Sequence, residues 1–208
     1  IQYDRCAMKV GTDAVLLGAW VNVAQAGSIL DIGSGSGIIS IMLAQRTENE
    51  TRIHGVEVDE QAYQQSLDNV NESPWSNKLK MWNEAVQAFH PDRLYDRIVS
   101  NPPYFNKSQK PPENRREKSR HTETLTHHDL LINSIRLLKP TGTLEVILPY
   151  TEGLEFIQAA AKLSLFCIAK CEFRSKSGKP IERLLLRFSF KSQNREESTL
   201  NLYDDKDN

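Results

Sequence analysis

Three glycines at alternate positions follow the first predicted strand, in the segment Leu30-Asp31-Ile32-Gly33-Ser34-Gly35-Ser36-Gly37. A glycine-rich turn between a strand and a helix lets the backbone approach a ligand, and an open α/β sheet binds its cofactor at such a turn. Counting to the sixth position from Gly33 gives Ile38, and from Gly35 it gives Ser40. The G-x-G-x-x-G fingerprint of nicotinamide-binding proteins therefore fails in both registers. The loop either binds a different ligand or is only a tight turn.

Two acidic residues accompany this loop. Asp31 stands two positions before the first glycine, and Glu57 lies at the tip of the next predicted strand. A carboxylate at that tip can accept two hydrogen bonds from a ribose diol. An acid close to the loop would repel a pyrophosphate, whereas it suits a ligand with cationic sulfonium and ammonium groups.

The D-x-G-x-G-x-G pattern with its downstream acid resembles the class I methyltransferases that use S-adenosylmethionine, and the resemblance covers nearly the whole chain. It implies an α/β, Rossmann-like fold with a seven-stranded, mostly parallel sheet that ends in a C-terminal antiparallel hairpin. It also implies that Gly33 and Gly35 face the methionine part, that Glu57 holds the ribose and that Glu84 reaches the adenine amine. Glu84 could instead be a solvated carboxylate in a turn.

A second motif, Asn101-Pro102-Pro103-Tyr104, follows the fourth predicted strand. Two consecutive prolines fix the backbone and remove two donors, so the Asn101 side chain and the Pro102 carbonyl remain as acceptors. Two acceptors on the hydrogens of a planar amine favour the pyramidal form that can attack a methyl sulfonium. The motif could simply end the strand, but it shares its edge with the glycine loop. It resembles the N-P-P-[YF] motif of methyltransferases that act on adenine amines, guanine amines or a protein glutamine amide.

The residues after this motif are basic. Residues 106–121 hold six lysines or arginines against two glutamates, hence a net +4 in a chain of formal charge −1. Such a run is often a solvated loop, but its place beside the target-binding edge favours phosphate binding. Arg174, Lys176 and Lys179 could extend the patch. The candidate phosphate contacts are Lys107, Lys110, Arg115, Arg116, Lys118 and Arg120.

Tyr104 and Phe105 could stack on a base, for ~1–3 kcal/mol per base. Extracting a base from a duplex costs a few kcal/mol, so a base that is already unpaired is the easier target. In 208 residues we expect no separate domain to recognise a DNA sequence. An RNA loop is therefore favoured over duplex DNA.

The N-terminal segment Ala7–Trp20, taken with the Asn-Pro-Pro-Tyr motif, resembles the small bacterial enzymes that methylate the 6-amino group of the adenine next to the anticodon of a valine tRNA. This resemblance implies tRNA as partner, adenine 37 as target and a Gly11-Thr12-Asp13 stretch that folds over the cofactor. Thr12 and Asp13 could instead cap an amphipathic helix. A glutamine-amide methyltransferase of a release factor, a guanine-amine methyltransferase of ribosomal RNA and a catalytically silent cofactor- or RNA-binding module stay open.

The rest of the chain supplies the elements that position these motifs. Strand-length apolar runs alternate with helical patterns, which predicts parallel strands with crossover helices. Gly178 and Pro180 predict a turn between two later apolar segments, Ser164–Phe173 and Ile181–Phe190. The predicted strands are Ser28–Ile32, Thr51–Val58, Lys78–Trp82, Tyr95–Ser100 and Thr143–Leu148, and the predicted helices are Gly37–Arg46, Asp59–Asn71, Thr126–Leu138 and Glu152–Leu163.

We expect one methyltransferase domain over 1–208, with a cofactor-covering segment at 1–27, the core sheet at 28–190 and a polar tail at 191–208 that holds at most a short strand at Leu200–Tyr203. Three cysteines without a C-x-x-C pair predict reduced structural thiols. Neither they nor the histidines near His127 predict a metal site. No spanning segment or signal peptide is visible, so a soluble, cytoplasmic enzyme is expected. We also expect it to be a monomer.

Overall fold

A computed structural model describes residues 1–6, 11–103 and 125–203 of the chain. Helices separate the successive parallel strands, as the apolar runs predict, except that residues 84–94 join the third and fourth strands without a helix. The elements in the described ranges are α1 (Thr12–Trp20), β1 (Ser28–Ile32), α2 (Ile38–Arg46), β2 (Arg52–Glu57), α3 (Glu60–Asn71), β3 (Leu79–Asn83), β4 (Tyr95–Ser100), α4 (His127–Leu137), β5 (Leu138–Pro149), α5 (Tyr150–Lys162), β6 (Phe166–Lys176), β7 (Arg183–Ser189) and β8 (Glu196–Tyr203).

These strands form a single sheet in the order β3-β2-β1-β4-β5-β7-β6-β8. The first five strands of that order are parallel, and β7 runs antiparallel to both β5 and β6. β6 therefore points in the same direction as β5. The prediction of a mostly parallel sheet with a C-terminal antiparallel hairpin is confirmed.

The predicted number of seven strands is wrong, because β8 adds an eighth to the described sheet. It pairs in parallel with β6, from Glu196 opposite Ala169 to Tyr203 opposite Lys176. Every residue of β8 is exposed. Leu200 and Leu202 alternate about Asn201 in the second half of the strand, but residues 196–199 include no apolar side chain, and backbone pairing is what shows that the whole strand belongs to the sheet.

Local signals set the ends of several helices. The Asp59 carboxylate accepts a hydrogen bond of 2.8 Å from the Ala62 N–H and caps α3. Thr126 and Asp129 form a capping box at the start of α4. β5 begins at Leu138, directly after α4, and its register with β4 shifts over the following residues 139–142. Gly178, with φ +75°, lies in the predicted hairpin turn.

Helices cover both faces of the sheet over two apolar clusters. One cluster joins Val146 of β5 to Phe156 of α5 and Leu130 of α4. The other joins the neighbouring Ile147 to Leu17 of α1 and Leu43 of α2. Neighbouring β5 residues thus face opposite layers, and the packing fixes the direction in which the carboxyl ends of the strands point. Within the described ranges, no helix is both long and apolar enough to cross a membrane.

Candidate active site

The carboxyl ends of the parallel strands meet at one edge of the sheet. Ile32 is paired with Val56 on one side and with Ser100 on the other, so Gly33 and Asn101, which follow β1 and β4, lie level with Glu57, the last residue of β2. Glu57 is paired with Asn83, which places Glu84 directly after β3. The structure thus brings the glycine loop, the acidic tips and the Asn-Pro-Pro motif together.

The glycine loop has the backbone conformation that only glycine adopts readily. Gly33, Gly35 and Gly37 have φ values of +72°, +53° and +78°. A Cβ atom added at Gly33 or Gly35 would meet nothing within 4 Å, whereas one at Gly37 would lie 3.4 Å from Cβ of Ser66 on α3. Gly33 and Gly35 therefore border open space, and Gly37 lets the loop pack against α3.

Glu57 holds the loop with both carboxylate oxygens. Oε2 accepts a hydrogen bond of 2.8 Å from the Gly35 N–H, and Oε1 accepts one of 2.9 Å from the Asp59 N–H. Each carboxylate oxygen can accept a second hydrogen bond. Glu57 can therefore anchor the loop and still offer one acceptor position on each oxygen to a ligand.

Glu84 is tied to the same strand tip through its backbone. Its N–H donates to the Glu57 carbonyl at 3.0 Å, and the Asn83 side-chain amide donates to that carbonyl at 2.9 Å. The residue is half-buried. The ends of β2 and β3 are thereby fixed to each other, with Glu84 beside Glu57 at the site edge.

Asp31 is fully buried, and the sequence did not indicate its main partner. Oδ2 accepts hydrogen bonds from the Ser40 N–H at 3.1 Å and the Ser40 hydroxyl at 2.7 Å, which fixes the first turn of α2 to β1. Oδ1 has no hydrogen-bond partner among the described residues. Burial, with a smaller contribution from the charge of Glu57, raises the pKa of Asp31 to about 7.

Asn101 presents an unpaired acceptor. The preceding Ser100 is fully buried, and its hydroxyl donates to the Ile32 carbonyl at 2.8 Å, which locks the end of β4 to the end of β1. Asn101 Oδ1 is buried and has no hydrogen-bond partner in the part of the chain that the structure describes. Pro102 is buried and Pro103 is exposed. Because a buried acceptor without a donor costs free energy, a site for a donor is indicated.

The N-terminus of α1 lies at the same edge. Asp13 accepts a hydrogen bond of 2.8 Å from Nε of Arg183, the first residue of β7, which pairs with the last residue of β5. Gly11 is the N-cap of α1 and makes no side-chain capping bond. Thr12 and Asp13 are the first two helical residues, so neither serves as the cap that the alternative interpretation requires.

The RNA-facing candidates are only partly visible. Tyr104, Phe105 and the basic residues Lys107, Lys110, Arg115, Arg116, Lys118 and Arg120 lie outside the described residues. Of the hairpin cations, Arg174 lies 3.0 Å from Glu172, which offsets its charge. The turn that carries Lys179 projects from the site edge, because β6 runs in the direction of β5.

Two polar residues of α3 hold contacts at this site that the sequence motifs did not indicate. Gln65 and Asn69 are 0% and 4% exposed, although amides normally prefer the surface. Both bind the N-terminal segment, and Asn69 also binds the glycine loop at Ser36. The available signal was their spacing of four, which places both on the helix face that carries the buried Ala62 and Val70.

An open α/β sheet with a glycine loop, an acidic second strand tip and an acceptor pair after the fourth strand defines the class of Rossmann-like methyltransferases. The family described as the methyltransferase small domain matches residues 6–160, and the chain belongs to that family.

Several relatives extend the match over nearly the whole chain. A protein of Histophilus somni (strain 129Pt) is 44% identical over 206 residues, which cover 98% of this chain and 86% of the relative. A protein of Trichodesmium erythraeum is 42% identical over 97% of this chain and 86% of its own length. Each carries the name tRNA1(Val) (adenine(37)-N6)-methyltransferase.

Solved structures agree on the fold. A predicted O-methyltransferase of Agrobacterium tumefaciens matches 94% of this chain and 89% of its own with a TM-score of 0.72 at 19% identity. The glycopeptide N-methyltransferase MtfA in complex with S-adenosylmethionine matches 85% of this chain and 92% of its own with a TM-score of 0.61 at 10% identity. At these identities the likeness concerns the fold alone.

Proposed function

We propose that this chain methylates the 6-amino group of adenine 37 in tRNA1(Val), with S-adenosylmethionine as methyl donor. The observation that carries the proposal is the buried Oδ1 of Asn101, which has no hydrogen-bond partner among the described residues and follows β4 level with the open glycine loop. The full-length relatives named for this reaction support the same substrate.

The residues at the edge fit S-adenosylmethionine. The open space at Gly33 and Gly35 suits the methionine part, and the two remaining acceptor positions of Glu57 suit the ribose diol. Asp31 Oδ1 offers negative charge to a cationic group, and Glu84 and the α1 residues Thr12 and Asp13 complete the proposed donor site. When bound, this donor supplies an electrophilic methyl group.

Asn101 and Pro102 hold the acceptor amine. The Asn101 Oδ1 and the Pro102 carbonyl accept its two hydrogens, which directs the nitrogen lone pair away from the adenine ring. Because the amine proton becomes acidic only after the nitrogen gains its new bond, no base of shifted pKa is needed beside it. The work of the chain is to orient the amine and to exclude water.

The basic segment after the motif serves the RNA backbone in this proposal. Tyr104 and Phe105 stack on the unpaired adenine, and the six cations between 107 and 120 bind phosphates. The whole chain acts as one domain in which residues 1–27 cover the donor. The C-terminal residues add the edge strand β8 rather than only a tail. The enzyme works in the cytoplasm, as its tRNA substrate requires.

The direct test is incubation with total tRNA and labelled donor, followed by nucleoside analysis. We expect N6-methyladenosine in the wild-type reaction and none with Asn101→Ala, and no product on a tRNA1(Val) transcript whose adenine 37 is replaced by guanine. Methylation of a release-factor glutamine or of ribosomal guanine, with tRNA unlabelled, would contradict the proposal. Absence of any transfer would favour the silent binding module.

A further inference from the structure

The first residues of the chain lie against α3 and are held there by two buried amides. Asn69 Oδ1 accepts a hydrogen bond of 2.8 Å from the Gln2 N–H, and its Nδ2 donates one of 2.7 Å to the Gln2 carbonyl. Gln65 Oε1 accepts a bond of 3.1 Å from the Arg5 N–H. Residues 1–5 are themselves exposed, so these bonds fix an otherwise solvated segment.

Asn69 holds this segment and the glycine loop at the same time. Its Nδ2 also donates to the Ser36 carbonyl at 2.9 Å, so both hydrogens of the amide are used. Ser36 lies between Gly35, whose N–H binds Glu57, and Gly37, whose Cα packs close to Ser66 of α3. One buried side chain thus joins the N-terminal segment to the loop that forms the donor site.

The described ends of the N-terminal segment lie on both sides of that site. Burial, and next the charges of Glu57 and Asp59 at the tip of β2, raise the pKa of the Cys6 thiol. Further along the same edge, past β1, β4 and β5, Asp13 binds Arg183 at the start of β7. The Asn69 bonds therefore anchor one end of a segment whose other end is anchored across the candidate active site.

We propose that Asn69 is a positioning residue for donor binding, which couples the order of residues 1–6 to the conformation of the glycine loop. The inference rests on the proposed function only in taking the donor as the ligand of that loop. A ligand that fixes the glycine loop also stabilises the Asn69 conformation that binds residues 1–6. Because coupling between two binding events is reciprocal, binding of residues 1–6 to Asn69 should raise the affinity for the ligand by the same factor.

Variants of Asn69 and Gln2 test the coupling. Asn69→Ala should raise the dissociation constant of S-adenosylhomocysteine by about fivefold, the equivalent of one or two hydrogen bonds, and should leave kcat at saturating donor unchanged. Gln2→Pro removes the N–H that Asn69 binds and should give part of this increase. Gln2→Ala is the matched control, because both hydrogen bonds of Asn69 to Gln2 are made with the backbone, and it should bind as the wild type does.

Hydrogen exchange distinguishes this coupling from a purely structural role of Asn69, because it measures whether the ligand protects the backbone amides of the N-terminal segment. The ligand should slow exchange of the backbone amides at residues 2–5 in the wild type and in Gln2→Ala, and should not do so in Asn69→Ala. In the double variant, Gln2→Pro should add nothing to Asn69→Ala. Since Gln2 is exposed, Gln2→Pro remains informative even if Asn69→Ala does not fold.

The possible outcomes separate the two proposals. A wild type that does not bind S-adenosylhomocysteine contradicts the proposed function. Wild-type affinity in both Asn69→Ala and Gln2→Pro overturns the present inference while the proposed function stands. If Asn69→Ala binds weakly but Gln2→Pro binds like Gln2→Ala, Asn69 acts on the glycine loop alone and the coupling to the segment is refuted.

Discussion

Replacing Glu57 by glutamine tests both roles that the structure gives to this carboxylate. In the wild type its two oxygens accept hydrogen bonds from the Gly35 and Asp59 N–H groups. Glutamine keeps one acceptor and puts an NH₂ group where the other oxygen was. One backbone N–H then faces a donor rather than an acceptor, and the ribose diol loses one of its two acceptors.

The expected loss follows from these two bonds. An unsatisfied donor costs about 1–3 kcal/mol, and because Glu57 is only half-buried we expect the lower part of that range, about 1 kcal/mol, in the free energy of unfolding. A hydrogen bond to a charged group contributes about 1.5–3 kcal/mol, so the dissociation constant of the donor should rise by roughly 10- to 100-fold. Glu57→Ala removes both acceptors and should weaken donor binding by ~2 kcal/mol or more.

Calorimetric titration with S-adenosylhomocysteine measures the affinity, and urea denaturation measures the stability. Glu60→Gln is the matched control: it removes the same charge three positions away, where the carboxylate bonds only to Gln64 among the described residues. If Glu57→Gln is folded and binds with the affinity of Glu60→Gln, Glu57 does not hold the ribose and the donor site is misassigned.

Four further outcomes are expected. Asn101→Ala should lower kcat at least 100-fold with donor affinity nearly unchanged, because its contact is strongest in the transition state; a near-normal kcat in single-turnover assays would refute this role. Donor affinity measured by calorimetry should fall about tenfold from pH 8 to pH 6, because Asp31, with a pKa of about 7, is protonated over this range and loses the negative charge that favours a cation. Asp31→Asn should abolish this pH dependence. Burial, followed by the charge of Arg93, lowers the pKa of His54 to about 4. The contribution of His54 to the free energy of unfolding is therefore complete above pH 6.5, and about 1–2 kcal/mol of it, after solvent screening, is lost as the pH falls towards 4. In denaturation curves, His54→Phe should lack this pH-dependent component. Tyr104→Ala should cost roughly 1–3 kcal/mol in kcat/KM on tRNA while Tyr104→Phe is mild, and a parental rate in a folded Tyr104→Ala would exclude stacking.

Sequence patterns were informative where the structure depends on local interactions. The caps at Asp59 and Thr126 involve groups three residues away, so their spacing is visible in the sequence. The apolar runs separated by helical patterns predicted that β1 to β5 are parallel. Of β8, the sequence predicted only Leu200–Tyr203 as a short strand, because β8 buries neither face and its place beside β6 depends on backbone pairing.

The sequence predicted those features of the candidate site that follow from strand order and direction alone. Residues that follow parallel strands lie at one edge, so Gly33, Glu57 and Asn101 could be expected together. The partners of individual atoms could not, since they depend on how a helix meets that edge. Asp31 was predicted to face a cationic ligand, yet one of its oxygens is bound to Ser40, nine positions along the chain at the start of α2.

Asn69 shows why a contact of this kind leaves little trace in the sequence. Its place beside Ala62, Gln65, Ser66 and Val70 on the buried face of α3 could reveal that an amide is buried and needs partners. Its partners, however, are the backbone of Gln2, 67 positions away, and the carbonyl of Ser36. Any residue except proline presents the same N–H and carbonyl at position 2. The identity of Gln2 therefore holds no information about the contact, and only the structure places it beside the glycine loop.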